Sequence, residues 1–301
     1  MKITVIGAGS FGRALAGLLR RKWGEDAVCV WRRGGDIASC LDGADFAVYA
    51  VPAQAFREVF SLSIPFLRPE TIAVNVAKGI EQTTLDRLSQ VAEELRPGTR
   101  YAVLSGPSHA EEIERGLPTT VTVCSSDVDA ALKVQDLFMT DNFRVYTGSD
   151  MIGVETGGAV KNVIALAAGI SDGLGFGDNT KAALMTRGMV EITRLGLALG
   201  AKQETFLGLT GFGDLIVTCT SMHSRNRRCG ILLGQGVPAE EAIARIGMVV
   251  EGAATARAAF SLAEKLGVDM PITASVCAIL DGRVGPKEAV GMLMTRKRKP
   301  E

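Results

Sequence analysis

The sequence predicts an α/β protein in which an N-terminal doubly wound parallel sheet is followed by an all-α C-terminal part. Short, almost continuously apolar segments alternate with helical segments through the first half of the chain, as in sheets that helices cover on both faces. After Ser149 the strand signals nearly stop, and the segments from Met151 to Arg296 have helical periodicity with short connections marked by Gly or Pro. We therefore expect two domains, residues 1–149 and 150–301.

The individual elements of the first domain follow from these patterns. The segments that predict strands are KITVIGA (2–8), AVCVW (27–31), DFAVYAV (45–51), TIAVNVA (71–77), YAVLSG (101–106), TTVTVCS (119–125) and FRVYTG (143–148). The segments that predict the intervening helices are GSFGRALAGLLRRKW (9–23), QAFREVFS (54–61), TTLDRLSQVAEELR (83–96) and DAALKVQDLF (129–138).

Composition excludes several classes of protein. Lys+Arg and Asp+Glu both total 33 in 301 residues, so no net field points to nucleic acid or to a membrane surface. No secretory signal pattern is present, and the long apolar stretch 157–177 is interrupted by Lys161, Asp172 and glycines. The 6 cysteines form no CxxC pair, and only 2 histidines are available, so we expect no metal site. These features favour a cytoplasmic enzyme without stable membrane insertion.

A glycine-rich turn follows the first predicted strand. Gly7, Gly9 and Gly12 stand in a GxGxxG pattern that opens the first helix, with Ser10 and Phe11 between them. The first glycine permits the tight turn, the second allows a pyrophosphate to approach the backbone, and the third allows close helix–strand packing. This context indicates a dinucleotide-binding Rossmann domain, although a glycine turn without a ligand is the alternative.

The end of the second predicted strand bears on the choice of dinucleotide. NAD sites place an acidic residue about 20 residues after the glycines, whereas this chain has Trp31, Arg32 and Arg33 there. Two guanidiniums suit a 2′-phosphate, and Trp31 or Arg32 would be placed to cover the adenine. We therefore expect NADP(H) to be preferred and NAD(H) to be accepted. Two solvated surface arginines are the competing interpretation.

Lys161 stands in the middle of an apolar helical segment, GGAVKNVIALAAG (157–169). Because an unpaired buried charge is costly, the ammonium group must reach water or face a group that needs it. Gly157, Gly158, Ala165 and Ala168 share its face, and these small residues predict space for another molecule beside the lysine. A lysine that extends to a nearby surface is the alternative.

Several motifs resemble bacterial NAD(P)-dependent glycerol-3-phosphate dehydrogenases. They cover the chain in the order of that family: AKGIE (77–81), LSGPSHAEEI (104–113), GGAVKNVIALAAGISDGLGFGDN (157–179), GLTGFGDLIVTCTS (208–221), SRNRR (224–228) and VVEGAATA (249–256). The resemblance implies a Rossmann domain, a helical substrate domain and reversible reduction of dihydroxyacetone phosphate to sn-glycerol 3-phosphate with NAD(P)H, for glycerophospholipid synthesis. It leaves a homodimer open as the assembly.

The resemblance also implies residue roles. The catalytic lysine of the family falls on Lys161. The substrate contacts fall on Lys78, Gly106, Ser108, Lys161, Asp214, Ser224, Arg225 and Asn226. The cofactor contacts, added to the glycines of the turn, fall on Ser10, Phe11, Arg32, Arg33, Lys78, Ala110, Arg225, Val249 and Glu251.

Three departures from the family pattern stand out. The segment between the second and third strands is short, with only Gly34 to Ala44 remaining, which puts contacts at the adenosine end of the cofactor in doubt. His109 stands where the family usually has Phe. Phe11 occupies a position that is often Trp.

The residue types also suggest their own chemistry. Ser224, Arg225 and Asn226 are predicted to begin a helix, so that side chains and backbone N–H groups converge on a phosphate, whereas Arg227 and Arg228 are expected to be solvated. Lys161 would donate a proton to the ketone oxygen, with its pKa lowered towards the working pH by burial. Asp214 would orient Lys161 or accept a substrate hydroxyl, and its alternative is a turn-forming Asp.

Two other functions remain open on these residues. The 6-phosphogluconate and β-hydroxyacid dehydrogenases share the domain plan and a lysine on a long helix, but SRNRR (224–228) and TGFGDL (210–215) favour the first family. A non-catalytic NADP(H)-binding regulator would keep the glycine turn but would have no reason to keep Lys161, Asp214 and Arg225 together.

Overall fold

The computed structural model describes residues 1–298. Its first part contains the strands β1 (Ile3–Ile6), β2 (Val28–Trp31), β3 (Phe46–Tyr49), β4 (Ile72–Asn75), β5 (Tyr101–Ser105), β6 (Thr119–Cys124) and β7 (Phe143–Gly148). They form one sheet in the order β2-β1-β3-β4-β5-β6-β7. The helices between them are α1 (Ser10–Trp23), α2 (Ile37–Leu41), α3 (Phe56–Ser63), α4 (Leu88–Leu95), α5 (Ala110–Glu114) and α6 (Val128–Phe138).

The sheet has helices on both faces, which confirms the predicted doubly wound arrangement. On one face α1 and α6 pack against strand residues such as Val5 and Val48. On the other face α2, α3 and α4 pack against residues such as Ala47 and Tyr49. Alternate residues of each strand point to opposite faces, so a strand that is apolar throughout can be buried on both sides.

The last two strands depart from a purely parallel sheet. The strands β1 to β5 are parallel to one another, whereas β6 is antiparallel to β5 and parallel to β7. The β5–β6 connection contains only the five-residue helix α5, so the chain turns back beside β5 instead of crossing a face of the sheet. The register pairs Val103 with Cys124.

The start of one predicted helix differs in the structure, and a short helix is present that the sequence pattern does not predict. The helix predicted from Thr83 begins only at Leu88, because the preceding residues form a turn in which Leu85 has a positive φ of 68° and Thr84 donates to Glu81 Oε2. The short segment after Arg33 contains the helix α2. Asp36 caps its start by accepting hydrogen bonds from the backbone N–H groups of Ala38 and Ser39.

After β7 the described chain is helical. The helices are α7 (Met151–Gly173), α8 (Asp178–Ala198), α9 (Gln203–Leu207), α10 (Asp214–Thr220), α11 (Arg225–Gly234), α12 (Ala239–Ile246), α13 (Glu251–Leu266), α14 (Pro271–Leu280) and α15 (Pro286–Met294). A π-helical turn, Leu209–Gly213, leads into α10. These helices enclose a second apolar core around α7.

Helix α7 is the central element of this second core. Asp150 caps its N-terminus by accepting from the backbone N–H of Gly153 at 2.9 Å. By length and composition alone α7 is the one helix among residues 1–298 that could cross a membrane, although the sequence pattern predicts no such run. Of its most apolar window, 89% is buried inside the protein. This burial is the property of a core helix and explains why α7 is apolar on all sides.

Candidate active site

The three glycines of the β1–α1 turn have three different environments. Gly7 has a φ of +117°, and a Cβ there would lie 2.5 Å from the carbonyl oxygen of Ala50. A Cβ on Gly12 would lie 1.9 Å from the carbonyl oxygen of Gly7. A Cβ on Gly9, by contrast, would have no protein atom within 4 Å. The protein itself therefore requires glycine at positions 7 and 12, while position 9 is open to a ligand, as a dinucleotide cradle needs.

The residues that follow β2 lie at the surface. Arg32 and Arg33 are exposed, and Arg33 Nη2 donates to Glu58 Oε2 at 3.3 Å. Trp31 is buried, and its Nε1 donates to the carbonyl oxygen of Gly35 at 2.9 Å. The ring of Trp31 packs with the side chains of α2, so of the two residues expected to cover an adenine, Trp31 is buried and Arg32 is exposed.

A cavity of about 380 Å³ extends from the glycine turn to the start of α11. It lies outside the carboxyl ends of the parallel strands, where open α/β sheets bind ligands. Most of the predicted site residues line it. These are Gly9, Ser10, Phe11, Lys78, Ser108, Ala110, Lys161, Ser224, Arg225, Asn226, Val249 and Glu251.

Two ammonium groups and one carboxylate form the polar centre of this cavity. Lys161 Nζ donates to Asp214 Oδ1 at 2.5 Å and to Thr218 Oγ1 at 2.6 Å. Lys78 Nζ donates to the other oxygen, Asp214 Oδ2, at 2.7 Å, and to the carbonyl oxygen of Gly106 at 2.8 Å. A longer contact of 3.4 Å joins Lys78 Nζ to Ser108 Oγ. Asp214 itself is buried, with only 1% of its surface exposed.

The electrostatics of this centre follow from burial and pairing. Burial lowers the pKa of Lys161 to about 8; Asp214 works against this shift, and the nearby Lys78 adds to it. Burial alone would raise the pKa of Asp214, but Lys161 and Lys78 outweigh it and hold that pKa below its usual value. Asp214 is therefore a permanent anion, and Lys161 is an ammonium that can lose its proton near neutral pH.

The glycines beside Lys161 do not leave the space that the sequence suggests. A Cβ on Gly157 would lie 2.9 Å from the carbonyl oxygen of Thr210, and one on Gly158 would lie 2.8 Å from Ser105 Oγ. These small residues allow α7 to pack closely against the π-helical turn and against β5. Of the residues of α7, Lys161 and Asn162 line the cavity, and Gly157 and Gly158 do not.

Helix α11 begins at the cavity, as the sequence predicts. Ser224 caps the helix by accepting from the backbone N–H of Arg227 at 3.2 Å. Asn226 Nδ2 donates to Asn162 Oδ1 at 2.9 Å, and Asn226 Oδ1 accepts from the backbone N–H of Gly252 at 2.9 Å. The side-chain amide of Asn226 therefore fixes the start of α11 against α7 and α13.

The expectation of a solvated side chain is wrong for Arg227. Arg227 Nε donates to Asp172 Oδ2 at 2.8 Å, and its side chain is only 13% exposed. Arg228 is half-buried and lines the cavity. Because the ion pair with Asp172 joins α11 to α7, Arg227 is an internal support of the helix start and not a solvated charge.

Glu251 closes the opposite side of the cavity. Its Oε1 accepts from the backbone N–H of Ala53 at 3.0 Å, whereas its buried Oε2 has no hydrogen-bond partner. Burial raises the pKa of Glu251, although the N–H of Ala53 and the charge of Arg225 oppose this shift. Buried carboxylate oxygens are normally paired, so this unpartnered oxygen adds to the cost of keeping the Glu251 carboxyl group charged.

Two polar residues at the site were not predicted from the sequence. Thr218 lies one turn after Asp214 on α10 and binds Lys161. Asn162 follows Lys161 and donates to the carbonyl oxygen of Lys78 at 3.2 Å, which links α7 to the sheet. The spacing of Thr218 from Asp214 was a usable signal, since residues four apart share a helix face. Asn162 gave no such signal, because Lys78 and Asn226, its partners at the site, are distant in sequence.

The comparisons with known proteins identify the family. The profile described as NAD-dependent glycerol-3-phosphate dehydrogenase N-terminus matches residues 33–131, and the C-terminus profile of the same family matches residues 150–291. A glycerol-3-phosphate dehydrogenase (NAD(P)+) of Clostridium perfringens strain SM101 is 50% identical over 327 aligned positions, covering 100% of this chain and 99% of the relative. The enzyme of that name from Pelotomaculum thermopropionicum is 50% identical over 332 positions, with 100% and 95% covered.

A solved structure agrees with these relatives. The crystal structure of glycerol-3-phosphate dehydrogenase from Coxiella burnetii is 36% identical, has a TM-score of 0.93 and covers 98% of this chain and 99% of its own. Both sequence alignments run over more positions than the 301 residues of this chain, so the two relatives contain residues without a counterpart here. The chain belongs to the NAD-dependent glycerol-3-phosphate dehydrogenase family.

Proposed function

We propose that the protein catalyses the reversible reduction of dihydroxyacetone phosphate to sn-glycerol 3-phosphate with NAD(P)H. The observation that carries this proposal is the contact of Lys161 and Lys78 with the two oxygens of Asp214, at the edge of a cavity that joins the glycine turn to the start of α11. The relatives named glycerol-3-phosphate dehydrogenase support the same activity.

The glycine turn and the residues around it fit a dinucleotide. Gly9 leaves open space at the N-terminus of α1, where backbone N–H groups and the helix dipole favour a pyrophosphate. Glu251 lines the cavity and would contact the bound cofactor there. A nicotinamide bound here supplies or accepts the hydride. Lys78, Ala110, Arg225 and Val249 line the same cavity and complete the proposed cofactor contacts.

The other end of the cavity fits a phosphate ester. Ser224, Arg225 and Asn226 place a guanidinium and a helix N-terminus at one point, and Arg228 adds a further positive charge. Gly106 and Ser108 hold Lys78 on the facing side. Phosphate binding at this end would hold the ketone of the substrate towards Lys161.

Lys161 is the proposed proton donor in reduction and the proton acceptor in oxidation. Negative charge develops on the ketone oxygen as hydride reaches the carbon, and a nearby ammonium stabilises that charge and gives up its proton. A pKa of about 8 suits transfer in both directions near neutral pH. Asp214 and Thr218 orient Lys161 by accepting two of its N–H bonds.

Further proposals concern the preferred cofactor, the domain boundary, the location in the cell, the metabolic role and the assembly. We infer that NADPH is preferred, since Arg32 and Arg33 are exposed at the end of β2 and no acidic residue replaces them. We also propose a division at residue 149, a cytoplasmic location and a role in glycerophospholipid synthesis. A homodimer is the proposed assembly; the exposed Met292 and Met294 on α15 support an apolar contact.

The assay that tests the function follows NADPH absorbance at 340 nm with dihydroxyacetone phosphate and with unphosphorylated dihydroxyacetone. We expect rapid oxidation only with the phosphorylated ketone, because the cationic end of the cavity recognises the phosphate. Equal rates with both ketones would refute this assignment. A protein that binds NADPH but oxidises it with neither ketone would support the non-catalytic regulator.

A further inference from the structure

The only two histidines of the chain lie beside each other at the cavity. The ring centroids of His109 and His223 are 5.8 Å apart with an interplanar angle of 54°, and both residues line the cavity. His109 directly precedes α5 in the sheet domain, whereas His223 lies between α10 and α11. The contact therefore joins two distant parts of the chain beside the residues proposed to bind the substrate.

His109 also contacts the helix that supports Lys161. Its Nε2 lies 3.5 Å from the carbonyl oxygen of Val217 in α10. Because a carbonyl oxygen only accepts, this contact assigns the Nε2–H tautomer to neutral His109, in which Nδ1 is the nitrogen that takes up a proton. Val217 precedes Thr218, and both Thr218 and Asp214 of this helix accept from Lys161 Nζ. His109 thus connects the sheet edge to the support of Lys161.

The charges around His109 disfavour its protonation. Lys161 on α7 and Lys78 after β4 already share the single carboxylate of Asp214 on α10. Glu111 on α5 lies 3.9 Å from His223 Nδ1, so its carboxylate faces the other histidine. Burial, and then the charge of Lys161, lower the pKa of His109; Lys78 contributes in the same direction, while Val217 and Asp214 oppose it. A protonated His109 would be a third cation beside one anion.

We propose that neutral His109 is a positioning residue for the reduction, holding α10 so that Asp214 and Thr218 keep Lys161 at the cavity, and that its protonation switches the site off in acid. An imidazolium at this position would repel the ammonium group of Lys161. The proposal rests on the proposed function. The activity of this chain would therefore decrease in acid through His109. A chain with Phe at this position, which is usual in the family, would lack that response.

The first test compares pH profiles of kcat/KM for dihydroxyacetone phosphate. In the wild type we expect the rate to fall about tenfold per pH unit below the pKa of His109. His109→Gln keeps an N–H donor for Val217, and His109→Phe keeps a ring beside His223; neither titrates. In both variants the decrease of kcat/KM at low pH should disappear. His109→Gln should retain more turnover at pH 8 than His109→Phe. The matched control, His223→Gln, should keep the acid fall.

The second test is NMR titration of the two imidazole signals, assigned with the same variants. We expect His109 to titrate below ~6.5, the ordinary value, as the Nε2–H tautomer, with its midpoint at the acid fall in kcat/KM. This titration needs no substrate, so a protein without turnover would refute the proposed function and leave the ionisation of His109 measurable. An acid fall that persists in both His109 variants overturns the proposal. A wild type whose kcat/KM does not decrease in acid also overturns it, as does a wild type in which this decrease does not coincide with the titration midpoint of His109. If the variants do not fold, these wild-type results decide the matter.

Discussion

Lys161 and Asp214 form a buried ion pair in which Nζ lies 2.5 Å from Oδ1. The second oxygen of the carboxylate accepts from Lys78 Nζ at 2.7 Å, so one anion serves two cations. The pKa of Lys161, about 8, is therefore a balance: burial and Lys78 lower it, and Asp214 raises it. Because reduction needs the ammonium form, we expect its rate to fall as the pH rises through about 8.

Replacing Asp214 with Asn should lower the pH at which the rate of reduction decreases. The substitution keeps the size of the side chain but removes the charge that raises the pKa of Lys161, so the midpoint should shift to lower pH by ~1 unit or more. Turnover at pH 8 should fall with it. The measurement is the pH profile of dihydroxyacetone phosphate reduction. Thr218→Ser, which keeps a hydroxyl for Lys161, is the control and should leave the midpoint in place; an unmoved midpoint in Asp214→Asn would show that Lys161 is not the titrating group.

Gly9 and Gly12 should respond differently to alanine. Gly9 has φ −68° and ψ 178°, which alanine adopts freely, and its Cβ would meet no protein atom. Gly9→Ala should therefore fold normally, with a free energy of unfolding unchanged or higher by ~0.4–1 kcal/mol. It should weaken NADPH binding by roughly tenfold or more, about 1.4 kcal/mol, because the methyl group occupies the place of the pyrophosphate.

Gly12→Ala is the matched comparison. Its Cβ would lie 1.9 Å from the carbonyl oxygen of Gly7, so we expect a loss of stability of ~1–3 kcal/mol from the forced backbone shift. Urea unfolding and fluorescence titration with NADPH measure both quantities. Normal NADPH affinity in a folded Gly9→Ala protein would mean that the turn does not hold the dinucleotide.

Arg32 and Arg33 should set the preference for NADPH. Changing both to Gln should raise the Michaelis constant for NADPH and leave that for NADH nearly unchanged, because each lost arginine–phosphate contact is worth about 1.5–3 kcal/mol. Glu58→Gln is the control, since Glu58 pairs with Arg33 at 3.3 Å and contributes nothing attractive to a phosphate. Glu58→Gln should leave the Michaelis constant for NADH unchanged. Parallel weakening of both cofactors by the double substitution would assign the arginines a general structural role.

The sequence predicts the elements of this fold better than their directions. The strands β1 to β5 lie within the apolar segments that indicate them, because β1, β3, β4 and β5 are buried on both faces and the edge strand β2 is partly buried. The antiparallel direction of β6 depends on how the β5–β6 connection returns, which no local pattern encodes. The late start of α4 at Leu88 has a similar cause: Thr84 and Glu81 form a turn that competes with the helix.

The site shows the same division between local and distant information. The glycine turn and the capped start of α11 are local, and both could be predicted. Lys161 lies 53 positions before Asp214 in the sequence, and Lys78 lies 136 positions before it. The geometry of their shared contact with Asp214 therefore appears only in the folded chain. Arg227 was mistaken for a solvated charge because its partner, Asp172, lies on another helix.

The most direct measurement is the turnover number of Lys161→Ala with NADPH and dihydroxyacetone phosphate. If Lys161 is the proton donor, kcat should fall by ~10² or more, about 3 kcal/mol, while NADPH affinity by nicotinamide fluorescence barely changes. Asp214 keeps Lys78 as a partner, so the variant should remain folded. Lys202→Ala, which removes an exposed lysine, should keep normal turnover. A folded Lys161→Ala protein with wild-type kcat would contradict the assignment of Lys161 as the catalytic acid.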